Sequence, residues 1–120
     1  VKRIDWWFKN GNKGKDYFSI KYHNSSDKKD ELFYPDWIIR FKDGKIGIFD
    51  TKQGQTANSQ DTVDKAIALA KKLEELGKGY VGGIVVFENG VWNYNGSEKY
   101  AYQKGKMSLD KNWKRLEDLF

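Results

Sequence analysis

An α/β fold, with a mixed β-sheet and flanking helices in one domain over residues 1–120, is predicted by three features of the sequence. Short aromatic and β-branched runs recur along the chain, separated by Gly, Asn and Asp clusters. One amphipathic stretch, 61–76, interrupts them with the helical period. Directly after it, 80–87 (YVGGIVVF) is nearly continuously apolar, the pattern of a strand covered on both faces. Strand, helix and buried strand in that order imply a parallel crossover, right-handed by the rule such units follow. A chain of 120 residues buries one core rather than two.

The elements follow in order. Residues 1–9 (VKRIDWWFK) and 16–22 (DYFSIKY) have strand composition and flank a Gly/Asn-rich loop, which predicts a hairpin. Residues 23–31 (HNSSDKKDE) are polar and turn-rich, a predicted mobile loop. Residues 32–41 (LFYPDWIIRF) resume a strand, Asp43-Gly44 supplies a tight turn, and 46–52 (IGIFDTK) return antiparallel. In 61–76, Val63, Ala66, Ile67, Ala70 and Leu73 form one apolar stripe, with Asp61 or Thr62 as the predicted cap and Gly77 suited to the position after the end. Asn89-Gly90 turns 80–87 into 91–94. Leu109, Trp113, Leu116 and Phe120 after Ser108 predict a short C-terminal helix.

Composition narrows the chemistry. Cysteine is absent, which excludes disulfides, Cys-ligated zinc and a thiol nucleophile, and one histidine, His23, excludes a His-rich metal site. Any metal is therefore held by oxygen. No apolar run approaches the roughly 20 residues of a membrane span, and no signal-peptide stretch opens the chain, so the expected location is cytoplasmic with no membrane partner. A net charge of +5 leans toward a polyanionic partner, although an ordinary basic surface accounts for it equally well.

Two places break the local rules. Pro35 and Asp36 interrupt an aromatic strand, one removing a ladder donor and the other being a residue strands disfavour. In 46–52, the two-residue period puts Asp50 and Lys52 on the face that Ile46 and Ile48 begin. With the turn centred on Asp43-Gly44, Asp36 and Asp50 fall about equally far to either side and so approach across the sheet. Two adjacent carboxylates repel unless a cation lies between them. An all-oxygen site of this kind suits Mg²⁺ or Mn²⁺, with the Thr51 carbonyl as a further ligand. Such an ion polarises a phosphoryl oxygen and acidifies bound water, while Lys52 orients the water or stabilises the charged transition state. The implied reaction is phosphodiester hydrolysis.

Pro35-Asp36 followed after a hairpin by Asp50-Thr51-Lys52, then an amphipathic helix and a buried strand, resembles the PD-(D/E)xK nuclease superfamily. The longer stretch 33–54 (FYPDWIIRFKDGKIGIFDTKQG), with 4–11 and 17–20 before it, is similar to the C-terminal endonuclease region of type III restriction enzyme Res subunits and related helicase-nucleases. The resemblance covers roughly residues 4–94. It implies a restriction-endonuclease-like fold in which Asp36 and Asp50 bind the metal, Thr51 offers its backbone carbonyl and Lys52 is catalytic. It further implies double-stranded DNA as substrate, a superfamily 2 helicase motor upstream in the same chain, and a modification methyltransferase that recognises the site in a restriction-modification system. Members usually carry a helix before the first strand, often with a Glu that joins the site. This chain opens on a strand, which reads as a fragment of a larger helicase-nuclease. No G-x-x-x-x-G-K-[ST] occurs, so no ATP site is expected within these residues.

Other residues have competing readings. Trp6, Trp7, Phe8, Tyr17 and Phe18 suit base stacking, but strand aromatics are more often core, and core is the expectation. Lys9, Lys13 and Lys15 flank the first loop as candidate phosphate contacts or as ordinary solvated lysines. Gln53 and Gln55, just past the motif strand, are candidate DNA contacts or plain loop residues. His23 is expected exposed and Arg40 paired with a carboxylate. Two alternatives to the enzyme stand: a non-catalytic nucleic-acid- or protein-binding module on a nuclease fold, and a purely structural ion-pair network of Asp36, Lys52 and Arg40.

Overall fold

A computed structural model describes residues 3–11 and 17–120. The chain is a mixed α/β protein. Among the described residues, eight strands fall into a six-stranded mixed sheet, β1(Ile4–Lys9)–β4(Trp37–Phe41)–β5(Ile46–Lys52)–β6(Tyr80–Glu88)–β7(Val91–Asn95)–β8(Lys114–Arg115), and a separate pair, β2(Ile20–Asn24) with β3(Lys29–Phe33). Two helices, α1(Gly54–Ala57) and α2(Gln60–Leu76), join β5 to β6. Among the described residues no helix is long and apolar enough to cross a membrane.

The centre of the sheet forms as its sequence predicts. In the β4–β5 hairpin, Gly44 takes the left-handed conformation at φ 93°, and the Phe41 amide donates to the Lys45 carbonyl at 2.9 Å. The loop thus closes over three residues, the Gly-bulge form of hairpin. Register then runs Arg40↔Ile46 to Trp37↔Phe49. Strands β5 and β6 pair parallel through seven residues, from Ile46↔Tyr80 to Lys52↔Val86, completing the expected crossover. Asn89 and Gly90 both have positive φ, as a two-residue hairpin turn requires, and β6 pairs antiparallel with β7.

Helix α2 buries Ala66, Leu69, Ala70 and Leu73. Ala66 packs with Ile84 and Val86 of β6, while Leu69 and Leu73 pack with Ile48 of β5 and with Ile20, Tyr22 and Phe33 of the separate β2–β3 pair. Its cap is Ser59, whose hydroxyl accepts the Thr62 amide at 3.2 Å, rather than Asp61 or Thr62. The opposite sheet face carries Ile39, Phe41, Phe49, Val85 and Tyr94, and the C-terminal Leu116, Leu119 and Phe120 lie against it.

Four further expectations, about strand pairing, loops and the C-terminal helix, are corrected. Residues 4–9 do not form a hairpin with 16–22; β1 pairs instead with β4, antiparallel, and β2 pairs with β3. Local composition marks both strands but carries no information about which distant strand each one meets. The predicted mobile loop 23–31 is a hairpin turn, held where the buried Asp64 of α2 accepts the Ser25 amide at 2.9 Å and its hydroxyl at 2.8 Å. Residues 32–41 are two strands, broken at Tyr34–Asp36 around the proline. The C-terminal helix is absent: two 3₁₀ turns, Met107–Leu109 and Leu116–Leu119, flank the short strand β8. Apolar spacing alone cannot separate one continuous helix from two short turns that each deliver one or two anchors.

The aromatic residues expected in the core are mostly outside it. Trp6 is 43% exposed, Trp7 60%, Phe8 38% and Tyr17 43%, whereas Phe18 is half-buried against the core. Trp6, Trp7 and Phe8 lie on β1 at the edge of the sheet, where packing covers little of either face.

Candidate functional site

The site forms where β4 begins and β5 ends. The β4–β5 register places Trp37 opposite Phe49, so the next position outward sets Asp36 against Asp50. There the ladder stops and side chains take over its hydrogen bonds. The Asp36 amide donates to Asp50 Oδ1 at 3.1 Å, and the Thr51 amide donates back to Asp36 Oδ2 at 3.0 Å. The Thr51 hydroxyl adds a second bond to the same oxygen at 2.7 Å. Each carboxylate thereby accepts a backbone amide that the ladder, ended between β3 and β4, leaves without a strand acceptor.

The two acids sit in opposite electrostatic surroundings. Asp50 has a side chain only 5% exposed, and Lys52 Nζ lies 3.2 Å from its Oδ2. Burial pushes Asp50 up to about 6; the Lys52 ammonium opposes this and the Asp36 charge adds to it. The Lys52 ammonium bears on this carboxylate through its charge and as a close hydrogen-bonding neighbour, and Oδ2 is otherwise a buried oxygen without a donor among the described residues. Asp36 is 30% exposed and accepts the Lys9 ammonium at 3.3 Å on Oδ1. Burial alone would raise it, but the Thr51 hydroxyl and amide and Lys9 outweigh that and hold the carboxyl below its usual range.

The structure therefore brings Asp36, Asp50, Thr51, Lys52 and Lys9 together. Lys9 reaches the site because β1 lies beside β4, and its ammonium also sits 5.1 Å from the centre of the Trp37 ring. Lys13 and Lys15 lie outside the described residues. Gln53 is exposed and its carbonyl caps α1 by accepting the Thr56 and Ala57 amides; Gln55 is exposed on α1. Arg40 pairs with Asp5 at 3.7 Å, not with Asp36, so the ion-pair network of Asp36, Lys52 and Arg40 does not form as such. His23 is exposed and 3.1 Å from Asp30.

Sequence reasoning missed the first turn of α2. Asp61 pairs with Lys65 at 3.0 Å and accepts the Tyr22 hydroxyl at 2.7 Å, while that hydroxyl also contacts Glu31 at 2.9 Å. Burial would raise Asp61, but the hydroxyl and the Lys65 ammonium lower it, and Lys52 contributes to the lowering. The positive charge of Lys65 in turn bears on Asp50. The signal was the Asp-x-x-x-Lys spacing, which places both side chains on one helix face.

The donor set fits a small hard cation. Two carboxylates lie just past the end of the β4–β5 ladder, linked through the Asp36 and Thr51 amides, and the buried Asp50 Oδ2 faces only the Lys52 ammonium among the described residues. Among the described residues no group of three or more His, Cys, Asp or Glu side chains gathers to hold a metal. Two carboxylates suffice where Mg²⁺ completes its shell with water and substrate phosphate. Comparison of the chain with models of protein families, with curated proteins and with solved structures found no match.

Proposed function

We propose that the chain is a divalent-metal-dependent endodeoxyribonuclease domain on a restriction-endonuclease-like sheet, hydrolysing phosphodiester bonds in double-stranded DNA. One observation carries the reading: Asp36, just beyond the Trp37↔Phe49 pair, donates its amide to Asp50 Oδ1, with Lys52 3.2 Å from the buried Asp50 Oδ2. The resemblance of residues 4–94 to type III Res endonuclease regions supports the same three side chains. It extends the proposal to a cytoplasmic cleavage module that works with a helicase motor and a modification methyltransferase.

Asp36, Asp50 and the Thr51 carbonyl would hold Mg²⁺ or Mn²⁺. When bound, the ion supplies phosphoryl polarisation and an acidified water. Asp50 must be ionised to take part, which places its working range above about pH 6 in the metal-free protein. Lys52 Nζ supplies positive charge beside that oxygen, placed to stabilise negative charge developing on the phosphate. The Thr51 amide and hydroxyl keep the Asp36 carboxylate ionised and fixed, and Lys9 offers a phosphate contact at the exposed rim.

The test is Mn²⁺ titration by calorimetry together with plasmid cleavage, comparing the wild type with Asp50→Asn. One saturable ion site and nicking in the wild type, both lost in the variant, are expected. Absence of site-specific Mn²⁺ binding in the wild type overturns the mechanism and leaves the non-catalytic binding module in its place.

A further inference from the structure

The sheet face opposite α2 is only partly covered by the C-terminal residues, and beside them it holds a concave pocket of about 500 Å³. Trp37, Phe49, Trp92 and Phe120 give it aromatic walls, while Thr51, Arg115 and Glu117 bring polar side chains to it. Alternation along β5 explains how this pocket meets the candidate site. Ile48 packs beneath α2 and Phe49 on the opposite face, so Asp50 and Lys52 follow Ile48 while Thr51 follows Phe49. Thr51 therefore belongs to both places: it lines the pocket, and its hydroxyl donates to Asp36 Oδ2 at 2.7 Å. Trp37 is shared in the same way, since its ring centre lies 5.1 Å from the Lys9 ammonium that contacts Asp36. One hydrogen bond thus separates a wall of the pocket from a proposed metal ligand.

The chemistry of the pocket selects its occupant. Its walls are flat and aromatic, and its edge carries an exposed ion pair, Arg115 to Glu117 at 3.2 Å, which offers donors and acceptors together. An acyl chain or an aliphatic side chain uses only the walls. A heterocyclic base uses both, because it has a face that stacks on aromatic rings and an edge that donates and accepts. Aromatic surface is also left open to solvent here: Trp92 is 48% exposed, and Phe87, whose ring centre lies 4.7 Å from that of Trp92, is 51% exposed. Contiguous exposed apolar surface of this kind marks a binding region.

We propose that the pocket receives one base of the DNA strand being cut, turned out of its stack, while the adjoining phosphate sits at Asp36 and Lys9. The assignment rests on the nuclease reading and narrows its substrate to a strand that can give up a base beside the scissile phosphate. Holding that base fixes the sugar and phosphate attached to it, which orients the phosphate toward Asp36 and Asp50. Turning a base out costs a duplex its pairing and stacking, so a position already unpaired or mismatched is favoured.

The test measures base recognition without the ion. Fluorescence anisotropy in chelator-treated buffer compares a short labelled single strand of DNA with an abasic strand of the same length and charge. The base-bearing strand is expected to bind about tenfold more tightly, the contribution of one stacked base. Trp92→Ala removes this preference, and Trp92→Phe, which keeps an aromatic wall, retains it. Trp6→Ala alters an exposed aromatic outside the pocket and leaves the preference unchanged. A duplex with one mismatched pair is expected to bind more tightly than the fully paired one. Circular dichroism verifies that each variant is folded. Equal binding of the two single strands, a preference that survives Trp92→Ala, or one lost equally in Trp6→Ala overturns the proposal. So does a wild-type dimer in sedimentation velocity that Trp92→Ala converts to monomer, which gives the pocket to a second copy. Because the preference needs no Mn²⁺, the two readings fail separately. An ion site without base preference removes the pocket alone, whereas base preference without an ion site leaves a base-binding pocket on a protein that does not cut.

Discussion

Asp36 and Asp50 are the same residue type, lie side by side where the β4–β5 ladder ends, and are driven in opposite directions. Asp50 lies under α2 with its side chain 5% exposed and titrates near 6, whereas Asp36 stands at the rim, ringed by donors, and titrates below its ordinary value. The difference teaches that the charge state of a carboxylate belongs to its surroundings: at Asp50 burial penalises ionisation by more than one ammonium restores, and at Asp36 three donors reward it. Together they give a site with one carboxylate ready at any physiological pH and another that gains by acquiring a cation.

Under the proposed nuclease reading, the largest expected effect is on cleavage. Lys52→Met removes the ammonium beside Asp50 and is expected to lower the cleavage rate by about a thousandfold, the size of loss seen when one preorganised charge is taken from a transition state. Mn²⁺ binding survives, because both carboxylates remain; loss of binding and cleavage together would assign Lys52 to holding the site rather than to chemistry.

The second effect concerns stability without metal. Between pH 4 and 6 the folded chain keeps a proton on Asp50 that the unfolded chain has released, so stability falls as pH rises through that window and then levels off. Asp50→Asn carries no such penalty and its side-chain oxygen can still accept the Asp36 amide. Above pH 6, in chelator-treated buffer, the variant is expected to gain up to about 3 kcal/mol over the wild type, less what Lys52 loses as its partner disappears. The gain vanishes below pH 4, where both folded proteins are neutral at this position. Chemical denaturation at pH 3.5 and 7.5 measures it, and a destabilised variant at pH 7.5 would mean that the aspartate is a structural ion-pair partner.

The same contrast explains what was legible in the sequence. The two acids could be brought together from sequence because one local turn, Asp43-Gly44, sets their register, and because Asp and Pro in an apolar strand advertise a broken rule. The crossover through α2 was legible for a similar reason, since its helix and buried strand are adjacent in the chain and each has a clear period. Lys9 at the site was not legible as a partner of Asp36, because the pairing of β1 with β4 spans 27 residues between those two side chains and no local pattern encodes it. The exposed Trp6, Trp7 and Phe8 misled for the same reason: aromatic content marks a strand, while its place at the centre or the edge of a sheet depends on partners far away. The Asp64 latch to Ser25, which orders a segment of loop composition, is likewise a contact across 39 residues.

Smaller effects test the rim half of the contrast. Asp36→Ala leaves the Thr51 amide and hydroxyl without their acceptor and is expected to cost about 2 kcal/mol at neutral pH. The sign of its pH dependence is opposite to that of Asp50→Asn. A lowered carboxyl stabilises the fold at pH above its unfolded value and loses that contribution as acid protonates it, so the deficit of Asp36→Ala narrows toward low pH. Removing this charge also relieves Asp50, whose titration, followed by carboxyl carbon NMR, is expected to move below 6. Thr51→Val is the mildest change. It takes away the hydroxyl at 2.7 Å but keeps the amide bond at 3.0 Å, on a side chain that faces solvent. A loss of about 1 kcal/mol is expected, with the Asp36 titration rising toward its ordinary value. If that titration stays where it is, the amide and Lys9 alone hold the charge, and the rim of the site is stiffer than its most exposed hydrogen bond implies.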